Sequence, residues 1–145
     1  MANDPYRDNL GARAVFAKKV PIAGKLVVVF DGHLPKRGLE LIVQGTRGVS
    51  AGDVHELIGS DEQGIGPEKT VNRVAFLGFV EILNGGVLRA GDEMRVGGKL
   101  VGRLAGFDYT HMPNHMNIVI SVAEDLSGID RGFELGDQVT FELPA

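Results

Sequence analysis

Apolar residues along the chain come in short runs, and Gly, Asp or Pro closes each within about eight to twelve residues, a spacing that suits strands better than helices. Residues 13–20 read as a first strand ended by Pro21, and 25–32, KLVVVFDG, as a β-branched run closed by Asp-Gly. In GLELIVQG, residues 38–45, Leu39, Leu41 and Val43 fall on one face of a third. The longest candidate spans 71–83, VNRVAFLGFVEIL, apolar on both faces with Gly78 in its middle. A glycine there predicts a bend or bulge in a strongly curved sheet.

The second half is more regular. Residues 92–98, 99–108, 116–125 and 137–143 predict four further strands separated by Gly or Asp turns. Only 51–59, AGDVHELIG, invites a helical reading, of about two turns. The polar, Gly-rich stretch 59–70 reads as an exposed loop. The predicted fold is therefore all-β: a small closed or nearly closed β-barrel of about eight short strands with one short helix, since closure removes unpaired edges. It forms a single domain over 13–145, preceded by a polar tail at 1–12.

A short motif recurs within this pattern. Gly52-Asp53, Gly91-Asp92 and Gly136-Asp137 each stand just before an apolar alternation. Glycine supplies the positive φ of a tight turn and Asp caps local amides, so these pairs predict turn chemistry rather than catalysis.

Composition narrows the class. At 145 residues with 43% hydrophobic content, the chain is long enough to bury a core of its own. No run approaches the ~20 apolar residues of a helical membrane span, so no membrane partner is expected. The absence of cysteine removes disulfide and thiolate chemistry, and with no secretory pattern in the polar start a cytoplasmic location is expected. Residues 1–50 carry eight Lys/Arg against four Asp/Glu, and the remainder seven against fifteen. The basic residues are dispersed without interleaved aromatics, which argues against nucleic-acid binding.

Most motifs with chemical meaning fail on context. Gly48-Val49-Ser50-Ala51-Gly52 spells G-x-S-x-G, but a nucleophile elbow requires a large parallel sheet with alternating helices. Gly64-Ile65-Gly66 lacks the third glycine of a dinucleotide fingerprint, so no nucleotide cofactor is expected. The histidines remain. His55 falls in the short predicted helix and is expected at the surface, and His33 lies in a turn. His111 and His115, four apart in FDYTHMPNHMNIVI, offer metal ligands or a general base. Pro113 and the following β run make this a turn, not a helical face. A metal would need further ligands, with Asp108, His33 and Asp31 the available recruits.

The segments LRAGDEMRVGGKLVGRLAGFDYTHMPNHMNIVISVAED and GFELGDQVTFE resemble the glucitol/sorbitol-specific IIA component of the bacterial sugar phosphotransferase system. The resemblance implies a β-barrel and matches His115 to the histidine of that family's Gly-His turn, with Asn114 replacing the glycine. The family's phosphorylated histidine has its counterpart in residues 41–45, which contain none, and 46–70 reads as an insertion. The expectation is thus a non-enzymatic module that binds a small molecule or a protein, forms a homodimer and uses no cofactor. Its binding residues are His111, His115 and Asn117 of the turn, with Asp108, Tyr109, Arg103 and His33. In that role Arg103 pairs an anion, Tyr109 offers a flat apolar contact and His115 a hydrogen bond. The alternative is an enzyme or metal-binding protein that uses His111 and His115 as base or ligands.

Overall fold

The computed structural model describes residues 19–144. The predicted tail and residues 13–18 of the first predicted strand lie outside them. Twelve strands follow: β1 (Ile22–Val29), β2 (His33–Leu34), β3 (Leu39–Glu40), β4 (Thr46–Val49), β5 (Val54–Ser60), β6 (Thr70–Val71), β7 (Val74–Ile82), β8 (Gly86–Arg89), β9 (Glu93–Val96), β10 (Lys99–Asp108), β11 (Asn117–Val122) and β12 (Gln138–Glu142). The main sheet runs β1-β12-β9-β10-β11-β5-β7, and β7 returns to pair with β1. That last pairing closes a seven-stranded barrel, and β2 pairs with Val74 and Ala75 at the start of β7, which β1 does not reach. All pairs in the barrel are antiparallel except β5 with β11, which is parallel. Two small ribbons, β3 with β6 and β4 with β8, stand apart from it.

Two apolar clusters divide the interior. The larger fills the barrel with Ile22, Leu26, Leu57, Met94, Phe107, Ile118, Ile120 and Phe141 among others. The smaller lies outside the wall, where Leu39, Leu41 and Val71 of the excursion between β2 and β7 cover Ile58, Ala105 and Val119. Alternate residues of β5 and β11 therefore enter different cores: Ile118 and Ile120 point in, Val119 points out. Both faces are buried, so these strands read as unbroken apolar runs.

That double burial corrects the predicted helix. Residues 51–59 form a turn leading into β5, a strand held between β11 and β7, and no helix occurs among the described residues. The near-helical spacing of Val54, Leu57 and Ile58 came from a strand whose two faces are both covered. The predicted loop also contracts, since Gly59 and Ser60 complete β5 and Thr70 opens β6. No described helix is long and apolar enough to cross a membrane.

The Gly-Asp motif builds the same device three times. In each turn an aspartate carboxylate accepts the amide three residues earlier: Asp53 from Ser50 at 2.9 Å, Asp92 from Arg89 at 3.1 Å and Asp137 from Glu134 at 3.0 Å. Gly52, Gly91 and Gly136 take φ of 92°, 96° and 87°, the left-handed region that a Cβ disfavours. Each glycine amide then donates to a residue of the neighbouring strand, Ile82, Leu104 or Leu26, and that residue's own amide donates back to the aspartate carbonyl. Every turn is thus stapled to a wall strand by two backbone bonds and capped by its own carboxylate.

Register shifts bend the wall to closure, between Leu26 and Val28, Leu57 and Ile58, Leu100 and Gly102, and Leu104 and Gly106. The predicted irregularity at Gly78 is among them. A Cβ there would run into the Val28 carbonyl oxygen. Gly78→Ala is expected to cost about 1–3 kcal/mol, because backbone gives way poorly to an added methyl. Urea denaturation checks this, and a change below about 0.5 kcal/mol would show that β1 moves aside freely.

Candidate functional site

Strand register sets the foundation of the site. Val28, Phe79, Glu56, Asn117 and Asp108 are successive cross-strand partners over β1, β7, β5, β11 and β10. Directly opposed residues share a face. This row ends where the β10–β11 turn folds back over the wall. Glu56 and Asn117 are buried, an unusual place for polar side chains, and each needs a partner.

Asp108 meets the donor half of Asn117's need, while Asn117 Oδ1 stays buried without a partner among the described residues. The Asp108 carboxylate accepts the amides of Glu40 at 2.9 Å and Thr110 at 2.9 Å, and Asn117 Nδ2 at 3.1 Å. Burial pushes the Asp108 pKa upward, but these donors outweigh it and hold the carboxyl below its ordinary value. Asp108 and Asn117 are thus spent on anchoring the turn and the β3 arm.

Glu56 finds the histidines. His115 Nε2 lies 3.3 Å from Glu56 Oε1, an ion-pair approach with both side chains largely buried. Burial raises the Glu56 pKa, opposed by the His115 contact and by the nearby His111 and Arg37. His111 and His115 sit ring to ring, 5.1 Å between centroids, and Phe79 meets His115 edge-on at 5.0 Å. The side-chain amide of Asn114 is 3.0 Å from His115 Nδ1. Arg37, which can only donate, gives a hydrogen bond to His111 Nε2 at 3.3 Å. Potential ligand atoms of Glu56, His111 and His115 all lie within 4.8 Å of one another. The peptide bond between Met112 and Pro113, within the turn between the two histidines, is cis.

Beside His115 opens a pocket of about 230 Å³ with apolar walls from Val27, Val28, Val54 and Phe79, and with Asn114 and His115 at its polar end. His55, expected at the surface of a helix, is instead buried in β5. Its Nδ1 accepts the Met116 amide at 3.2 Å, and burial lowers its pKa despite Asp53 nearby.

The other predicted residues go elsewhere. His33 pairs with Asp130 at 3.0 Å and Asp125 at 3.4 Å. Asp31 accepts from Ser127. Arg103 pairs with Glu93 at 3.3 Å, and Tyr109 is half-exposed beneath the guanidinium of Arg47. Sequence reasoning missed Glu56 and Arg37. Read as a strand, VHELIGS puts Glu56 in line with Ile58, and a carboxylate on a buried face is a signal that it needs a partner.

Fold and site together define a small closed β-barrel with a histidine–carboxylate cluster on its outer wall at one end. The chain belongs to a family of unknown function, DUF6917, whose model matches residues 16–142. No curated protein and no solved structure matches it.

Proposed function

We propose that the protein is a small-molecule-binding barrel, and that its site is the pocket between β1, β5, β7 and the β10–β11 turn. The observation that carries this reading is the pocket's construction: four apolar walls closed at one end by His115, with the buried Glu56 carboxylate directly behind the imidazole. Small-ligand sites combine an apolar lining with a few placed polar groups in this way. An engineered apolar cavity of about 150 Å³ holds benzene, so a pocket of about 230 Å³ has room for a ring or short alkyl group bearing one hydrogen-bonding head. The body of the ligand packs on the valines and Phe79, and its head meets His115 and Asn114. Phosphoryl transfer is not part of this reading, because residues 41–45 supply no histidine.

Benzyl alcohol, benzoate and benzylamine test it, as one ring with three head-group charges. At least one is expected to shift the valine methyl and His115 ring resonances together, with a Kd in the millimolar range or tighter, about −4 kcal/mol. Val54 is 40% exposed, so Val54→Trp fills the pocket without overpacking a core and is expected to abolish those shifts. Unchanged binding by that variant, or no shift with any of the three probes, would overturn the assignment.

A further inference from the structure

We infer that Glu56, His111 and His115 form a binding site for a divalent first-row transition ion of which zinc is representative, on the side of the His115 imidazole that faces Glu56. The inference goes beyond the binding reading and shares only His115 with the pocket. Three observations combine. The donor set is two imidazoles and one carboxylate, the combination that leaves a zinc ion one position for water or substrate. The ligand atoms already lie within 4.8 Å of one another. Bonds of about 2.0–2.1 Å in tetrahedral array place donors about 3.3 Å apart, the distance already seen between His115 Nε2 and Glu56 Oε1. His111 has no more than about 1.5 Å to travel, from a turn at the surface.

The second observation is a buried polar atom with nothing well aligned to it. His115 Nε2 is shut off from solvent and makes no hydrogen bond of good geometry, although it faces Glu56 across 3.3 Å. A metal satisfies both atoms at once, and a proton satisfies them less well because the approach is out of line. The third is the support behind His115. Its Nδ1 is 3.0 Å from Asn114 Nδ2, a donor, and the amide turns its oxygen to that nitrogen to accept an Nδ1–H when Nε2 binds metal. Metal-bound histidines commonly have such a partner on the second nitrogen. Arg37 opposes binding, since it donates to His111 Nε2 and adds a positive charge beside the ion.

Zinc titration of the chelator-stripped full chain by calorimetry tests the site. One ion per chain is expected, with magnesium not competing because the nitrogen donors suit zinc. His115→Ala and Glu56→Gln are expected to weaken zinc by more than about 100-fold, beyond the 10–100-fold typical of losing a supporting partner. Melting curves of these variants establish that they fold, and His111→Ala, altered only at the exposed turn, guards against misfolding as the cause. Arg37→Ala is expected to tighten zinc, the opposite of what general damage to the turn would do. His33→Ala, at the separate cluster with Asp125 and Asp130, is expected to change nothing. No zinc uptake by the wild type, uptake that survives His111→Ala and His115→Ala, or weaker binding in Arg37→Ala would overturn the inference. Val54→Trp separates the two readings: zinc retained with the ring probes lost supports both, and ring binding without zinc leaves the pocket standing and removes the metal.

Discussion

Asp92→Ala is expected to lower stability by about 3–5 kcal/mol, the cost of leaving a buried partner charge uncompensated. The Asp92 side chain is completely buried, and Lys19 Nζ lies 3.1 Å from its Oδ2 with only 15% of the lysine side chain exposed. The same oxygen accepts the Arg89 amide at 3.1 Å. Removal leaves an ammonium and a backbone N–H without their acceptor in the same place. The other two Gly-Asp turns are internal controls. Asp53 caps Ser50 in the same way, but its side chain is 40% exposed and water replaces the lost acceptor. Asp53→Ala is therefore expected to cost about 0.5–1.5 kcal/mol, the net worth of one hydrogen bond. Lys19→Met combined with Asp92→Ala is expected to recover part of the loss, because an apolar residue no longer leaves a charge buried. Urea unfolding at neutral pH measures all three against the wild type. Equal losses for Asp53→Ala and Asp92→Ala would show that the turn cap, not the ion pair, carries the effect.

The same repeated turn shows how much of the fold was legible. Gly-Asp before an apolar alternation is a local signal, and all three copies do locally what their residues require. The strands at 99–108 and 116–125 were legible for the same reason, since glycine and aspartate bound them. β5 was not. Its pattern is set by two cores that lie far off in sequence, the barrel interior around Leu57 and the covering arm around Ile58. With both faces apolar, period 2 disappears and a helix fits as well. The small ribbons β4 with β8 and β3 with β6 escaped because two to four residues carry too little pattern to register.

The site divides in a similar way. The histidine pair and its turn were visible because proline and the following strand exclude a helix. Which groups meet the pair was not visible, because that depends on register. Parallel pairing of β5 with β11 sets Glu56 beside Asn117, and the arm between β2 and β3 brings Arg37 over His111, 74 residues away. Asp108 and Asn117 were expected to contact a ligand, and in the structure their hydrogen bonds hold the turn. His33 was drawn instead to aspartates nearly a hundred positions downstream, at a separation of 97 residues for Asp130.

Asp108→Ala is expected to cost about 3 kcal/mol or more, since hydrogen bonds to a charged acceptor contribute about 1.5–3 kcal/mol each and three donors lose theirs. Asp108→Asn is expected to rescue little. An amide NH2 placed at Oδ2 faces the Glu40 N–H, and placed at Oδ1 it faces both Thr110 and Asn117, so donor meets donor either way. The sign of the pH effect follows from the depressed pKa of the folded carboxyl. Its contribution is present in full above the unfolded value, about 3.9, and is lost as pH falls through the lower folded value. The stability gap between wild type and Asp108→Asn is therefore expected to narrow in acid, where urea unfolding at a series of pH values reads it. A gap that stays constant into strong acid would mean the carboxylate charge does not matter. The same substitution reaches the site indirectly, because Thr110 opens the turn carrying His111 and Glu40 lies on the arm carrying Arg37. Zinc affinity is expected to fall about 10-fold in Asp108→Asn, the effect of a supporting partner rather than a ligand, and an unchanged affinity would show that the histidines hold their places without this anchor.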